Sequence, residues 1–269
     1  MLSNKDGFHT NAIYGFLNIL KKLENEFKPE ITVIAFDLKK PTFRHKFYSE
    51  YKATRKSMPS DLAEQIPVLK DLLTTLGYVL IEKEGYEADD ILGTLAYFCE
   101  QNKKECVIST GDKDALQLIS KYVSVSIAST KIKDINSSTY TENKIFNEYG
   151  IMPKQLIDVK ALCGDVSDNI PGVKGIGGKT AVRLIKEYET LDRIYENIDS
   201  LDINENLKQK LILGKDSAYL SRYLGKIKTD VPIESSVLVY KSNTINKTKA
   251  KKILEKLDMF SIIKKLDLV

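Results

Sequence analysis

The 269-residue chain has little of several things. It has only three cysteines, Cys99, Cys106 and Cys163, and none forms a C-x-x-C pair. An odd count without paired spacing excludes a disulfide framework and predicts reduced thiols packed in a cytoplasmic protein. It has two histidines, His9 and His45, too few and too far apart for a zinc site. It has no apolar run near the roughly 18 residues that a membrane span needs, so no membrane role is expected. It has no Gly- or Ser-rich linker, no internal repeat and no low-complexity tract. Its charge excess is small, +4 from 41 basic and 37 acidic residues, and does not mark a nucleic-acid binder by itself.

The placement of the charges says more. Acids gather in Glu87-Ala-Asp89-Asp90, Asp112-Lys-Asp114 and Asp165-Val-Ser-Asp168. Bases gather over 39–56 and 244–265. Clustered carboxylates repel one another unless a cation sits among them, and hard divalent cations take oxygen ligands. Each cluster taken alone also reads as helix capping or turn chemistry. Three of them together, with no adjacent basic string, predict a divalent-metal site. Two ions about 4 Å apart can use this many oxygens, Mg²⁺ retains some of its water, and Mn²⁺ suits the same ligands.

Periodicity places these clusters. Residues 11–27 read as an amphipathic helix with Ile13, Phe16, Leu17, Leu20 and Leu23 on one face. Ile31–Phe36, Tyr78–Ile81 and Cys106–Ser109 read as short strands, and 60–76 and 88–101 as helices. Strands alternating with helices predict a parallel sheet, whose sites form beyond the strand carboxyl ends. Asp37 and Asp112 fall there, and Glu87 to Asp90 open a helix, so the clusters are expected to meet in one crevice. From about Tyr140 the strand signal fades and short helices take over. This predicts an α/β core over 1–150 and a helical domain over 151–269, with its boundary near 140–155. Ile253, Leu254, Leu257, Phe260, Ile262 and Ile263 predict an ordered helical tail.

Two further stretches carry binding chemistry. Gly172-Val-Lys174-Gly175-Ile-Gly177-Gly-Lys179-Thr180 leads into a helix near Lys179. Glycines let a phosphate approach the backbone, and a helix N-terminus adds donors. The spacing and the helical surroundings fit neither a Walker A loop nor a dinucleotide fingerprint. A helix–turn–helix hairpin gripping a duplex backbone fits, and a purely structural tight turn is the alternative. In 39–56, Lys39, Lys40, Arg44, Lys46, Lys52, Arg55 and Lys56 interleave with Phe43, Phe47, Tyr48 and Tyr51. Cations beside rings suit single-stranded nucleic acid. An ordinary solvated helix with an aromatic packing face is the competing reading.

These motifs, in this order, resemble the bacterial 5′–3′ exonuclease and flap endonuclease family. The family includes the 5′-nuclease domain of DNA polymerase I and free-standing forms. The matching stretches are Ala35-Phe-Asp37, Pro41-Thr-Phe-Arg-His45, Tyr51-Lys-Ala-Thr-Arg55, Gly85-Tyr-Glu-Ala-Asp-Asp90, Thr110-Gly-Asp-Lys-Asp114 and Gly164 through Gly177. The resemblance implies a parallel-sheet, PIN-like 5′-nuclease core with a helical arch near 39–66, and a C-terminal all-α domain with a helix-hairpin-helix near 164–188. It implies Mg²⁺-dependent cutting of DNA at 5′ ends or 5′ flaps in replication and repair, with RNA primers in hybrids as further substrates, by a monomer. Metal-ligand roles carry onto Asp37, Glu87, Asp89, Asp90, Asp112, Asp114, Asp165 and Asp168. Catalytic roles carry onto Lys52, Arg55 and Arg44, and DNA contacts onto Tyr51, Lys174, Gly175, Gly177 and Lys179. A K⁺ ion at the hairpin is also implied.

One departure stands out. Family members begin with an apolar strand ending in an Ile-Asp-Gly-Asn-Ser-like motif whose aspartate is a metal ligand, whereas this chain opens Met1-Leu-Ser-Asn-Lys-Asp-Gly7. The expectation is either an N-terminally shortened version or a site in which the remaining carboxylates suffice. A catalytically impaired DNA-junction-binding protein is the alternative function.

Overall fold

The structure, a computed structural model, describes residues 2–128 and 138–268. In chain order the helices and strands are α1 (Asn11–Phe27), β1 (Val33–Ala35), α2 (Phe43–Phe47), α3 (Ser60–Thr75), β2 (Val79–Ile81), α4 (Ala88–Gln101), β3 (Cys106–Thr110), β4 (Val123–Ile127), β5 (Ser138–Tyr140), α5 (Glu142–Tyr149), α6 (Leu156–Cys163), α7 (Gly178–Tyr188), α8 (Leu191–Glu196), α9 (Glu205–Leu213), α10 (Lys215–Gly225), α11 (Lys247–Lys256) and α12 (Phe260–Lys265). Short 3₁₀ turns cover Lys113–Leu118, Pro153–Gln155 and Val237–Tyr240. The chain packs into two compact units that interleave in sequence. One comprises Met1–Phe36, Lys56–Glu82 and Glu234–Val269, and the other Asp37–Arg55 and Lys83–Ile233.

In the first unit the apolar stripe of α1 behaves as its spacing predicts. Ile13, Leu17 and Leu20 are buried against Leu69, Leu72 and Leu73 of α3 and against Leu254, Ile262 and Ile263 of the C-terminal helices. Phe260 departs from that tail pattern and stays exposed. The N-terminus of α1 lacks a side-chain cap from Thr10. Gln65 of α3 replaces it: its buried Oε1 accepts from the Ala12 and Ile13 amides at 2.9 and 3.4 Å. β1 and β2 pair in parallel, Val33 opposite Val79. Gly77, at φ +89°, closes the turn before β2, and a Cβ there would lie 2.4 Å from the Asn243 carbonyl oxygen. Only glycine allows that approach.

The second unit is built on β3–β4–β5. β3 and β4 run parallel, Cys106 opposite Val123, and β5 is antiparallel to β4. Ile108, Val123 and Val125 pack with Ala96 of α4, with Ala115, Leu116 and Ile119, and with Ile145 of α5. The helical half packs Leu162, Ala181, Leu184, Ile185, Leu191, Ile194, Leu211 and Ala218 into a separate cluster.

Three sequence expectations need correction. Among the described residues the strands form two ladders rather than one parallel sheet, and β5 runs antiparallel. β4 escaped the reading, although Val123, Val125 and Ile127 alternate with serines. The helical arch over 39–66 is helical only at α2 and again from Ser60. Pro41 and Pro59 break the helix, and Lys52 lies at φ +57°, where an α-helix cannot continue.

Candidate functional site

All the candidate carboxylates lie in the second unit. They divide into two groups. The first surrounds the N-terminus of α4. Asp37 Oδ1 accepts the Ala88 amide at 2.7 Å, satisfying one of the free donors of that helix. Burial, then Asp112, Glu87 and Asp37, push Asp89 up to about 7, against the opposing pull of Lys52. Those three carboxyl groups are therefore close enough to Asp89 to disfavour its ionisation. This is the convergence that the strand ends predict.

The second group sits on the 3₁₀ turn after β3 and on the loop after α6. One carboxylate oxygen from each of Asp114, Asp165 and Asp168 lies within 4.8 Å of the others. The loop is drawn tight by its backbone. Asp165 and Ile170 form an isolated antiparallel bridge, with each amide donating to the other's carbonyl at 2.8 Å. Gly164 and Gly172 cross at its base at φ +69° and +62°, and a Cβ on Gly172 would lie 2.3 Å from the Gly164 nitrogen. Asp112 Oδ1 accepts the Asp114 amide at 2.8 Å, linking the turn that serves both groups.

Cations hold these acids in different ways. Lys52 Nζ donates to Glu87 Oε1 at 2.7 Å and lies 3.9 Å from Asp168 Oδ2. Its amide donates to the Asp168 carbonyl at 2.9 Å. A left-handed lysine costs of order 1 kcal/mol or more and persists where its surroundings demand it. Arg55, with about half its side chain exposed, pairs with Asp168 Oδ1. Lys160 of α6 bridges Asp114 and Asp165, reaching Asp165 Oδ2 at 2.7 Å. Burial pulls Asp165 upward, but Lys160 and Ser167 together hold it down at about 2. Sequence reasoning passes over Lys160: it is one lysine on a mostly apolar helix, and nothing local marks it.

Two sequence assignments meet a different arrangement. Asp90 is fully buried and spends its acceptors on structure. It takes Arg44 in a two-pronged pair at 2.7 and 2.8 Å, the Lys228 amide at 2.8 Å and the Glu87 amide at 3.0 Å. Four donors fill a carboxylate's lone pairs, which removes Asp90 from the open ligand set. Arg44 is 2% exposed and donates also to the Leu224 and Lys226 carbonyls. It is a buried strut and not a group facing a substrate. Tyr51 is likewise buried, its hydroxyl donating to Glu87 Oε2 at 3.1 Å and Asp168 Oδ2 at 3.4 Å. Its ring has no open face to offer DNA.

The glycine turn is exposed where the sequence needs it to be. Lys174, Gly175, Gly177 and Lys179 all face solvent. Gly175 lies at φ +81°, and Gly177 precedes the first turn of α7. Beside it a shallow cleft of about 460 Å³ is lined by Gly175, Thr180, Arg183, Asn204, Asn206, Leu207 and Lys210. Arg183 and Lys210 carry no motif and are identified by the fold alone.

The donors present fit a hard divalent cation: they are carboxylate oxygens, they crowd together, and burial beside like charges makes Asp89 resist ionisation. Among the described residues no helix is long and apolar enough to cross a membrane.

Comparison with known proteins agrees over the whole chain. Residues 1–150 match the family described as 5′-3′ exonuclease, N-terminal resolvase-like domain, and residues 151–248 match 5′-3′ exonuclease, C-terminal SAM fold. DNA polymerase I of Caldicellulosiruptor bescii is 42% identical over 267 residues, covering 99% of this chain and 31% of that protein. DNA polymerase I of Bacillus subtilis is 41% identical over 266 residues, covering 99% and 30%. The chain thus spans about a third of the length of these relatives. The fold is similar to that of a bacteriophage T5 flap endonuclease solved with DNA and metal ions, with a TM-score of 0.65, 22% identity, and 93% and 94% of the two chains covered. It is also similar to the catalytic core of Rad2 in complex with DNA substrate, with a TM-score of 0.64, 17% identity, and 99% and 86% covered. With both of its parts matched and its carboxylates gathered as described, the chain belongs to the 5′–3′ exonuclease family, nuclease hydrolases that act on DNA.

Proposed function

We infer that this chain is a metal-dependent 5′ nuclease that cuts DNA at 5′ ends and at the base of 5′ flaps, as in primer and flap removal. The observation that carries this is the meeting of two carboxylate groups with Lys52 and Arg55 at their junction. Asp37, Glu87, Asp89 and Asp112 would hold one divalent ion, and Asp114, Asp165 and Asp168 a second, with Mg²⁺ the expected ion and Mn²⁺ a substitute. Such ions lower the pKa of bound water and stabilise the charge on a leaving oxygen.

The chain's own groups supply the rest. Lys52 and Arg55 are the cations placed to meet the negative charge that grows on a phosphate as it is cut. Both are engaged by carboxylates here, and a phosphate diester offers them a competing anion. Arg44 and Asp90 fix the start of α4, and so fix Glu87 and Asp89. Lys174, Gly175, Gly177 and Lys179 grip duplex backbone without reading bases, and a monovalent ion such as K⁺ belongs at that turn by resemblance. On this reading residues 1–150 together with the Asp165–Asp168 loop carry the chemistry, and the rest of 151–269 the duplex grip. RNA in RNA/DNA hybrids is a further substrate because backbone contacts carry no sequence information. The working form is a monomer.

Incubation of the full chain with a labelled 5′-flap duplex tests this. Cleavage at the flap base that requires Mg²⁺ and is lost in EDTA is the expected result. Flap binding without cleavage at any Mg²⁺ or enzyme concentration would leave a junction-binding protein instead.

A further inference from the structure

One exposed feature of the second unit serves none of these roles. Phe47, the last residue of α2, is 60% exposed, and its ring lies 4.3 Å from that of Tyr223 on α10, centroid to centroid. Phe43 meets the same tyrosine edge-on at 6.0 Å. The Lys228 ammonium stands 5.6 Å from the Phe43 ring and 6.0 Å from the Tyr223 ring. A large ring left in water forgoes the stabilisation of burial.

The rings are held in place from beneath. Arg44 follows Phe43, and its guanidinium binds the carbonyl of Leu224, the residue after Tyr223. Asp90 accepts from Arg44 and from the Lys228 amide. One buried carboxylate thus fastens both segments that carry the shelf. Tyr51, the aromatic that the sequence motif points to, has no free face.

An exposed ring, here Phe47, packed beside a ring that carries a cation over it, here Tyr223 with Lys228, is an arrangement that stacks an unpaired base and meets its phosphate. A base within a duplex has both faces covered, so the shelf suits single strands only. We propose that the Phe47–Tyr223 shelf, with Lys228, holds an unpaired nucleobase of the single-stranded 5′ arm. This rests on the nuclease reading above. The cation favours an anionic chain over an apolar protein face.

Binding of the full chain in Ca²⁺ to a duplex with a thymine 5′ flap, and to the same duplex without it, provides the test. Phe47→Ala and Tyr223→Ala should each weaken flap binding about tenfold or more and leave the unflapped duplex unchanged. Phe47→Trp should keep flap affinity. An abasic flap should bind wild type as weakly as the intact flap binds Phe47→Ala. Equal losses on both duplexes, or no loss on the flap, would overturn the proposal. So would self-association of wild type that Phe47→Ala abolishes, since the shelf would then cover a second copy. If wild type fails to cut the flap in Mg²⁺, the nuclease reading fails. If it cuts while Phe47→Ala binds the flap normally, only the shelf fails.

Discussion

Asp90 and Asp165 each face a cation, and the two pairs behave as different kinds of structure. Asp90 is sealed with Arg44, a planar guanidinium that is itself buried and tied to two carbonyls. Asp165 meets Lys160, an ammonium on a flexible stem that also serves Asp114. A fork locked in four directions is a strut, whereas a point charge shared between two partly exposed carboxylates can give way to a better cation. Both aspartates belong to acidic motifs of the same family pattern. Acidic clustering alone therefore does not separate ligand from strut; the burial and identity of the opposing cation do.

Breaking the strut should have the largest effect. Arg44→Ala leaves Asp90 buried without its partner, and loss of one member of a buried pair costs about 3–5 kcal/mol. Chemical denaturation should show that drop with or without Mg²⁺. Recovery on adding Mg²⁺ would mean that Asp90 is a ligand after all.

Asp89 comes next. Its folded value of about 7 lies above the ordinary carboxylate range. The folded state therefore keeps a proton that the unfolded chain releases, and stability falls as pH rises from about 4 to 7. Asp89→Asn removes that loss. At pH 8, without metal, the variant should be more stable than wild type by up to the order of 4 kcal/mol, and near pH 4 the two should coincide. A variant of equal stability at pH 8 would show that the neighbouring carboxylates do not disfavour Asp89.

Replacing the yielding cation should have the smallest effect. Lys160→Met should cost about 1–2 kcal/mol in metal-free protein near neutral pH. The folded value of Asp165, about 2, lies below the ordinary range. The stabilisation is thus present above about pH 4 and fades as pH falls towards 2. Mg²⁺ should restore the loss in Lys160→Met, as it should not in Arg44→Ala. A Lys160→Met deficit that Mg²⁺ leaves untouched would make Lys160 a strut too.

The sequence makes some of this legible and hides the rest for identifiable reasons. α4 spans 88–101 as its periodicity predicts, because a strong apolar face and an acidic first turn agree. The meeting of Asp37, Glu87, Asp89 and Asp112 follows from strand ends and helix starts. The fate of Asp90 does not, since its partner Arg44 lies 46 residues away and the Lys228 amide 138 away. The resemblance gives Tyr51 a DNA contact, but the non-helical turns from Ser49 to Thr54 bury it against Ile170 and Leu224. Lys160, Arg183 and Lys210 join their sites only through folding.

On the proposed reading Asp114, Asp165 and Asp168 form a divalent-cation site to which Asp90 does not contribute. Titration of the metal-free full chain with Mn²⁺, following free Mn²⁺ by its electron paramagnetic resonance signal, tests it directly. Asp168→Asn should weaken binding of the ion held by Asp114 and Asp165 about tenfold or more, and folded Asp90→Asn should keep that ion's wild-type affinity. Unchanged binding in Asp168→Asn, or an equal loss in Asp90→Asn, would contradict the account.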